Sequence, residues 1–134
     1  MSRRVLTLVA LALVAVFAIA ACDSGETTSA PGAYTVEASE AVTMIEEGER
    51  TVIDVRTSAE FSEAHIIGAV NIDVDGADFD ERITELDPAE PLLVYCRSGR
   101  RSAIAADKMV DAGINDIADA GGLADLARAG APVE

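Results

Sequence analysis

Cys96 ends an apolar run, Leu92-Leu93-Val94-Tyr95, and is followed at once by Arg97-Ser98-Gly99-Arg100-Arg101-Ser102. The thiolate, not the thiol, is the nucleophile, and it forms most readily beside positive charge or at the start of a helix. Both conditions meet here. The apolar run reads as a buried strand, and Ala103 to Val110 reads as a helix. Cys96 therefore lies at a strand-to-helix turn and faces the unpaired N–H groups of the helix start, which favour an anion. Arg97, Arg100 and Arg101 add positive charge, and the spacing leaves open which of Arg100 and Arg101 points inward. Gly99 lets the backbone curl close to a ligand, and Ser102 is expected to cap the helix. The chemistry implied is covalent catalysis by a thiol on a small anion. The plainer alternative is a structural cysteine closing a strand, but three arginines and a glycine crowded behind it argue against that.

The charge pattern sharpens the meaning of those arginines. The chain of 134 residues carries 24 acidic and 10 basic side chains. Loss of Arg3 and Arg4 with a cleaved leader leaves eight basic side chains and a net charge of −16. Such a body repels nucleic acid and anionic headgroups. Three of the eight fall within the six residues beginning at Cys96, a basic spot fit for a small anionic ligand. The other cysteine is Cys22, and no CxxC redox motif exists. A single histidine, His65, among acids without ligand spacing makes no metal site, and nothing calls for a cofactor.

Positioning Cys96 requires the rest of the chain. Tyr34–Val36 and Thr51–Val55 read as strands, with a helix Glu40–Glu47 between them, capped by Ser39 and stopped by Gly48. Ser58–Ala64 reads as a short helix, His65–Val70 as a loop into Asn71-Ile72, and Ala77–Leu86 as a helix ended by Asp87-Pro88. After strand Leu92–Tyr95 and helix Ser102–Ala112 come Gly113, a weak strand Asp116–Asp119, Gly121-Gly122 and a last helix Leu123–Ala129. The alternation predicts one α/β domain, a small parallel sheet flanked by helices on both faces, with its ligand site at the carboxyl ends of the strands.

Several other side chains bear on the site. Asp54 and Arg56 leave the end of their strand and approach the Cys96 loop if the two strands are neighbours. They could orient a loop arginine or hydroxyl, but an internal pair holding a turn is the favoured expectation. His65 is expected to fasten its loop by hydrogen bonds rather than to move protons. Phe61, Phe79 and Met109 are expected in the core, and Tyr95 points away from the cysteine into packing.

The ordered motifs resemble one family. Cys96-Arg97-Ser98-Gly99-Arg100-Arg101-Ser102 is similar to the active-site loop of the rhodanese sulfurtransferases. Ile53-Asp54-Val55-Arg56, Glu60-Phe61 and His65-Ile66-Ile67-Gly68-Ala69-Val70-Asn71-Ile72 resemble that family's first signature. Gly121-Gly122-Leu123 and Gly130-Ala131-Pro132-Val133 resemble its ending, so the likeness spans residues 34–134. It implies a rhodanese-like fold and a sulfurtransferase. Cys96 would carry the sulfur as a persulfide, taken from thiosulfate or a persulfide donor and given to a thiol, cyanide or a protein. Arg97, Ser98, Gly99, Arg100, Arg101 and Ser102 would bind the donor, with Arg97 and Arg101 on its anionic end. A phosphatase or arsenate reductase on the same architecture is the alternative, beside a non-catalytic sulfur-carrier or binding module, but the family's phosphatases carry one more loop residue, so the resemblance at this loop length favours sulfur. The sequence departs from the family pattern at Ala64, where glycine is usual, at Ile67, where proline is usual, and at Leu126, where tryptophan is frequent.

The first residues read differently. Met1-Ser2-Arg3-Arg4, then the apolar run Val5–Ile19, then Ala20-Ala21-Cys22 is signal-peptide anatomy, residues 1–21, and resembles a bacterial lipobox. Cys22 is the expected lipidation site, and residues 22–33 a flexible tether. An uncleaved membrane helix is the alternative. Either way the domain is expected outside the cytoplasm, anchored to the membrane.

Overall fold

The computed structural model describes residues 32–134. The leader, Cys22 and most of the tether lie outside the described residues. Ten elements follow in order: β1 (Gly32–Thr35), α1 (Ala38–Glu47), β2 (Thr51–Asp54), α2 (Ser58–Glu63), β3 (Val70–Asn71), α3 (Phe79–Thr84), β4 (Leu92–Cys96), α4 (Arg100–Asp111), β5 (Asp116–Gly122) and α5 (Leu123–Ala129). The strands form one sheet in the order β1-β5-β4-β2-β3, every pairing parallel. As expected, β2 and β4 are neighbours, with Asp54 opposite Tyr95.

All five residues of β4 are buried, which is why its sequence is a continuous apolar run rather than an alternation. Its side chains still alternate between faces. Leu92, Val94 and Cys96 pack with Phe79, Ile83, Ala105 and Met109 of α3 and α4. Leu93 and Tyr95 point the other way and pack with Ala41, Val42 and Leu126 of α1 and α5. This two-period places the thiol on the α4 face and Tyr95 on the opposite one, as the sequence requires. Among the described residues no helix is long and apolar enough to cross a membrane.

The structure corrects several local expectations. α1 starts at Ala38 with Glu37 as its uncapped N-cap, so Ser39 lies inside the helix. Gly48 does stop it, at φ 67°, with its N–H on Ile45 O. β1 is Gly32–Thr35 rather than Tyr34–Val36. α3 starts at Phe79, two residues after the expected Ala77. β5 pairs with both β1 and β4 over its first residues and runs on to Gly122, opposite Cys96 of β4, whatever its own weak strand propensity. Phe61 is not core: it is half-buried and stacks on the His65 ring with centroids 3.8 Å apart. Phe79 and Met109 are core, at 1% and 0% exposure.

Candidate active site

β4 delivers Cys96 to the carboxyl edge of the sheet, where the chain turns through Arg97-Ser98-Gly99 into α4. Gly99 adopts φ 94°, a left-handed conformation, and this brings its N–H to 3.0 Å from Cys96 Sγ. The helix begins at Arg100 with Gly99 as N-cap. Ser102 is therefore not the cap it was expected to be. Its hydroxyl donates to Gly99 O at 3.0 Å and stands 3.7 Å from Cys96 Sγ, from which it accepts. A hydroxyl has one proton, so it can donate to a thiolate only by releasing Gly99 O. Burial pushes the Cys96 thiol up, but the N–H groups of Ser102, Ser98 and Gly99 and the Ser102 hydroxyl outweigh it and hold the thiol below its usual range.

The loop is shaped from behind by the end of β5. The β4–β5 register shifts between Val94 and Cys96, setting Cys96 opposite Gly122. A Cβ on Gly122 would stand 2.6 Å from Arg97 O, and one on Gly99 would stand 3.4 Å from Gly121 Cα. Glycine at 122 is thus what lets β5 support the loop at this distance.

The three arginines part company. Arg97 is exposed and lines a cleft of about 460 Å³ with Glu63, Ala64, Leu123, Ala127 and Val133. Arg100 is exposed at the first position of α4. Arg101 is half-buried and forms a forked pair with Glu60 of α2, both N···O distances 2.8 Å. Ser98 is exposed on the other side of the loop, beside Gly121 and Gly122.

Asp54 and Arg56 form the internal pair that was favoured. Arg56 Nη2 lies 2.7 Å from Asp54 Oδ2, and Asp54 Oδ1 also accepts from the Arg56 backbone N–H at 2.9 Å. The same guanidinium donates to Ala64 O at 2.6 Å and so ties down the segment after α2. Tyr95 completes the support from its own face, accepting the Ile66 N–H at 3.1 Å. Burial, with the Asp54 carboxylate beside it, pushes the Tyr95 phenol well above its usual range.

A family model described as a rhodanese-like domain matches residues 37–127. The chain belongs to the rhodanese-like family. Thiosulfate sulfurtransferase PspE of Escherichia coli is 35% identical over 77 residues, covering 56% of this chain and 72% of PspE. Thiosulfate sulfurtransferase 18 of Arabidopsis thaliana is 35% identical over 107 residues, covering 71% of this chain and 78% of the relative. Among solved structures, the rhodanese-like domain of an Anabaena protein matches with a TM-score of 0.68 at 25% identity, covering 75% of this chain and 77% of that one. A rhodanese with anions from E. coli matches with a TM-score of 0.56 at 31% identity, covering 63% and 96%.

Within this rhodanese-like fold the three departures have local reasons. Ala64 has φ −167°, extended backbone that any residue adopts, so no glycine is needed. Ile67 uses the N–H that a proline would lack, donating to Pro132 O at 2.9 Å. With the paired backbones of His65 and Glu134, that bond lays the last residues against the loop before β3. Leu126 is fully buried where a larger side chain is usual. His65 fastens its loop as expected, with Nδ1 2.8 Å from Phe61 O. Glu60 enters the sequence pattern only through the resemblance, and no local spacing signals its bond to Arg101. Part of its role was legible: Thr57-Ser58-Ala59-Glu60 is a capping-box spacing, and both bonds of the box form.

Proposed function

We propose that the protein transfers sulfane sulfur from thiosulfate, or a persulfide donor, to a thiophilic acceptor through a persulfide on Cys96. The observation that carries this reading is the convergence of loop N–H groups and the Ser102 hydroxyl on one thiol whose proton they loosen. The Cys96 thiolate attacks the outer sulfur of thiosulfate. A new S–S bond forms, the old one breaks, and sulfite leaves with its electron pair. The terminal sulfur of the persulfide is then anionic and meets the N–H groups that the thiolate met, which is electrostatic stabilisation by preorganised donors. An acceptor (cyanide, a thiol or a partner protein) attacks that sulfur and returns the thiolate. Two covalent half-reactions imply ping-pong kinetics.

Arg97, beside the cleft, receives the donor's anionic end in this scheme, with Arg100 nearby and Ser98, Gly99 and Ser102 supplying polar contacts. Arg101 contributes charge at a distance, since its fork is held by Glu60. Thiosulfate sulfurtransferases among the relatives support the donor class. Mass spectrometry of the purified protein after thiosulfate treatment tests the scheme. A gain of one sulfur on Cys96, removed by cyanide with release of thiocyanate, is expected. No gain sinks the proposal, and a gain that no acceptor removes turns it into a sulfur carrier.

We propose also that Cys22 carries a lipid anchor and holds the domain outside the cytoplasm, on the strength of the apolar run and Ala20-Ala21-Cys22. Detergent partitioning and intact mass test this. A water-soluble protein without acyl chains on Cys22 would rule it out.

A further inference from the structure

Glu60 makes more bonds than a helix cap needs. Its Oε2 accepts from the Thr57 N–H at 3.2 Å, the Thr57 hydroxyl at 3.0 Å and Arg101 Nη1 at 2.8 Å. Its Oε1 accepts from Arg101 Nη2 at 2.8 Å. The bonds to Thr57 alone make the capping box of α2. The bonds to Arg101 reach 41 residues along the chain, into the first turn of the helix whose start faces Cys96.

That reach answers a need on both sides. α2 is six residues long and has no fully buried residue, so packing does little to hold it. The first turn of α4 carries the Ser102 N–H and follows directly on the Ser98 and Gly99 N–H groups that face Sγ, and a small rotation of that turn would misaim them. A forked arginine–carboxylate pair has the directional geometry to fix such a rotation. It also settles which charges remain available. Among the described residues Arg56, Arg101, Arg50, Lys108 and Arg128 have acidic partners, whereas Arg97 and Arg100 of the loop, and Arg82 of α3, have none.

We propose that Glu60 is a positioning residue for the chemistry at Cys96: it holds Arg101 as a strut between α2 and the first turn of α4, and leaves Arg97 and Arg100 to receive an anion. The inference rests on Cys96 as the reacting group. By offsetting the positive field of Arg101, Glu60 also keeps the thiolate from being so stable that it attacks slowly. The other charges around the loop are fixed: Asp54 and Arg56 of the β2 end pair with each other, and Asp119 of β5 accepts the Gly121 N–H at 3.1 Å. Asp75, between β3 and α3, adds a further negative field at Arg101.

The test uses Glu60→Gln, Thr57→Ala and Arg101→Lys in the full chain, with three readouts: melting temperature, the pH midpoint of Cys96 alkylation by iodoacetamide, and kcat and KM for thiosulfate. Glu60→Gln is expected to lower the alkylation midpoint by about 0.5, since the arginine field is no longer offset. It is expected to lower kcat about tenfold without raising KM, the signature of lost alignment rather than lost donor binding. Thr57→Ala removes the cap but not the strut, so it lowers the melting temperature and leaves midpoint and kcat alone. Arg101→Lys keeps the charge and loses the fork, so kcat falls while the midpoint holds. A Glu60→Gln protein that behaves like Thr57→Ala overturns the proposal, because Glu60 is then a cap and nothing more. Should Glu60→Gln not fold, wild-type kcat in Arg101→Lys overturns it as well. If the wild type takes no sulfur from thiosulfate, the sulfurtransferase reading fails, while the alkylation midpoints still decide the strut.

Discussion

Two loops leave neighbouring parallel strands at the same edge of the sheet, and they do opposite things with their polar groups. After β2, the Arg56 backbone N–H and guanidinium both turn onto Asp54, whose carboxylate is fully buried. Asn71 takes the carbonyls of Asp54 and Arg56 at 3.1 and 2.8 Å. That loop closes on itself. After β4, the loop N–H groups converge instead on one buried sulfur, and two charges of the same loop, Arg97 and Arg100, are exposed and have no acidic partner. The first loop is saturated and serves as a support. The second turns its N–H groups onto a thiol and holds it below its usual range. A loop that satisfies its own donors is structural, and one whose donors point at a reactive atom is poised for a ligand.

The largest effect should come from emptying the second loop of its reactive atom. Cys96→Ser is expected to fold with a near-native melting temperature and to produce no thiocyanate from thiosulfate and cyanide. Residual turnover in that variant would move the chemistry to another residue.

Breaking the closed loop should act on stability instead. Asp54→Ala strands the Arg56 guanidinium, whose side chain is only 6% exposed, and should cost about 3–5 kcal/mol in urea unfolding. Sulfur transfer per folded molecule should fall far less than in Cys96→Ser. A loss under about 1 kcal/mol would show that Asn71 and Ala64 hold the loop without the ion pair.

Between these extremes lies the β5 support. Gly122→Ala must push Arg97 O from 2.6 Å to ordinary contact, displacing the loop by most of an ångström. A shift of that size should lower kcat/KM by about 10²-fold, with a modest fall in melting temperature. Wild-type kinetics would mean that β5 yields and the loop does not.

The smallest effect concerns acid. The Arg101 guanidinium holds the Glu60 carboxyl down to about 2, from an ordinary value of 4.5. A depressed carboxyl contributes stability that is whole above its unfolded value and is lost as pH falls toward its folded one. The pair is about one quarter exposed, so solvent screens it and about 1 kcal/mol is the expected scale. Melting temperatures of wild type and Glu60→Gln should therefore differ most above pH 4.5 and converge as pH approaches 2. Curves that run parallel across that window would show that the pair adds no stability.

The sequence alone carried the reactive residue and the layer plan. Cys96 after Leu92–Tyr95 and before a helical pattern is a local fact, because strand burial, two-fold alternation and helix-start polarity are all properties of adjacent residues. The alternation of strands and helices likewise implied the parallel sheet, and the Asp54–Arg56 pair was legible because its members are two residues apart. Element ends were legible only where a residue forces them. Gly48 stops α1 with a left-handed cap, but no residue type compels α1 or α4 to begin where it does, and both serines expected as caps lie inside their helices.

What only tertiary structure decided are the bonds between distant segments. Arg101 meets Glu60 across 41 residues, Ile67 meets Pro132, Ile66 meets the Tyr95 hydroxyl, and Gly122 passes behind Arg97. The sequence put Arg97 and Arg101 on the donor's anionic end and left open which of Arg100 and Arg101 points inward. The three were sorted by which of them a carboxylate on another helix could reach, and reach depends on how the sheet and helices pack, which no local spacing encodes.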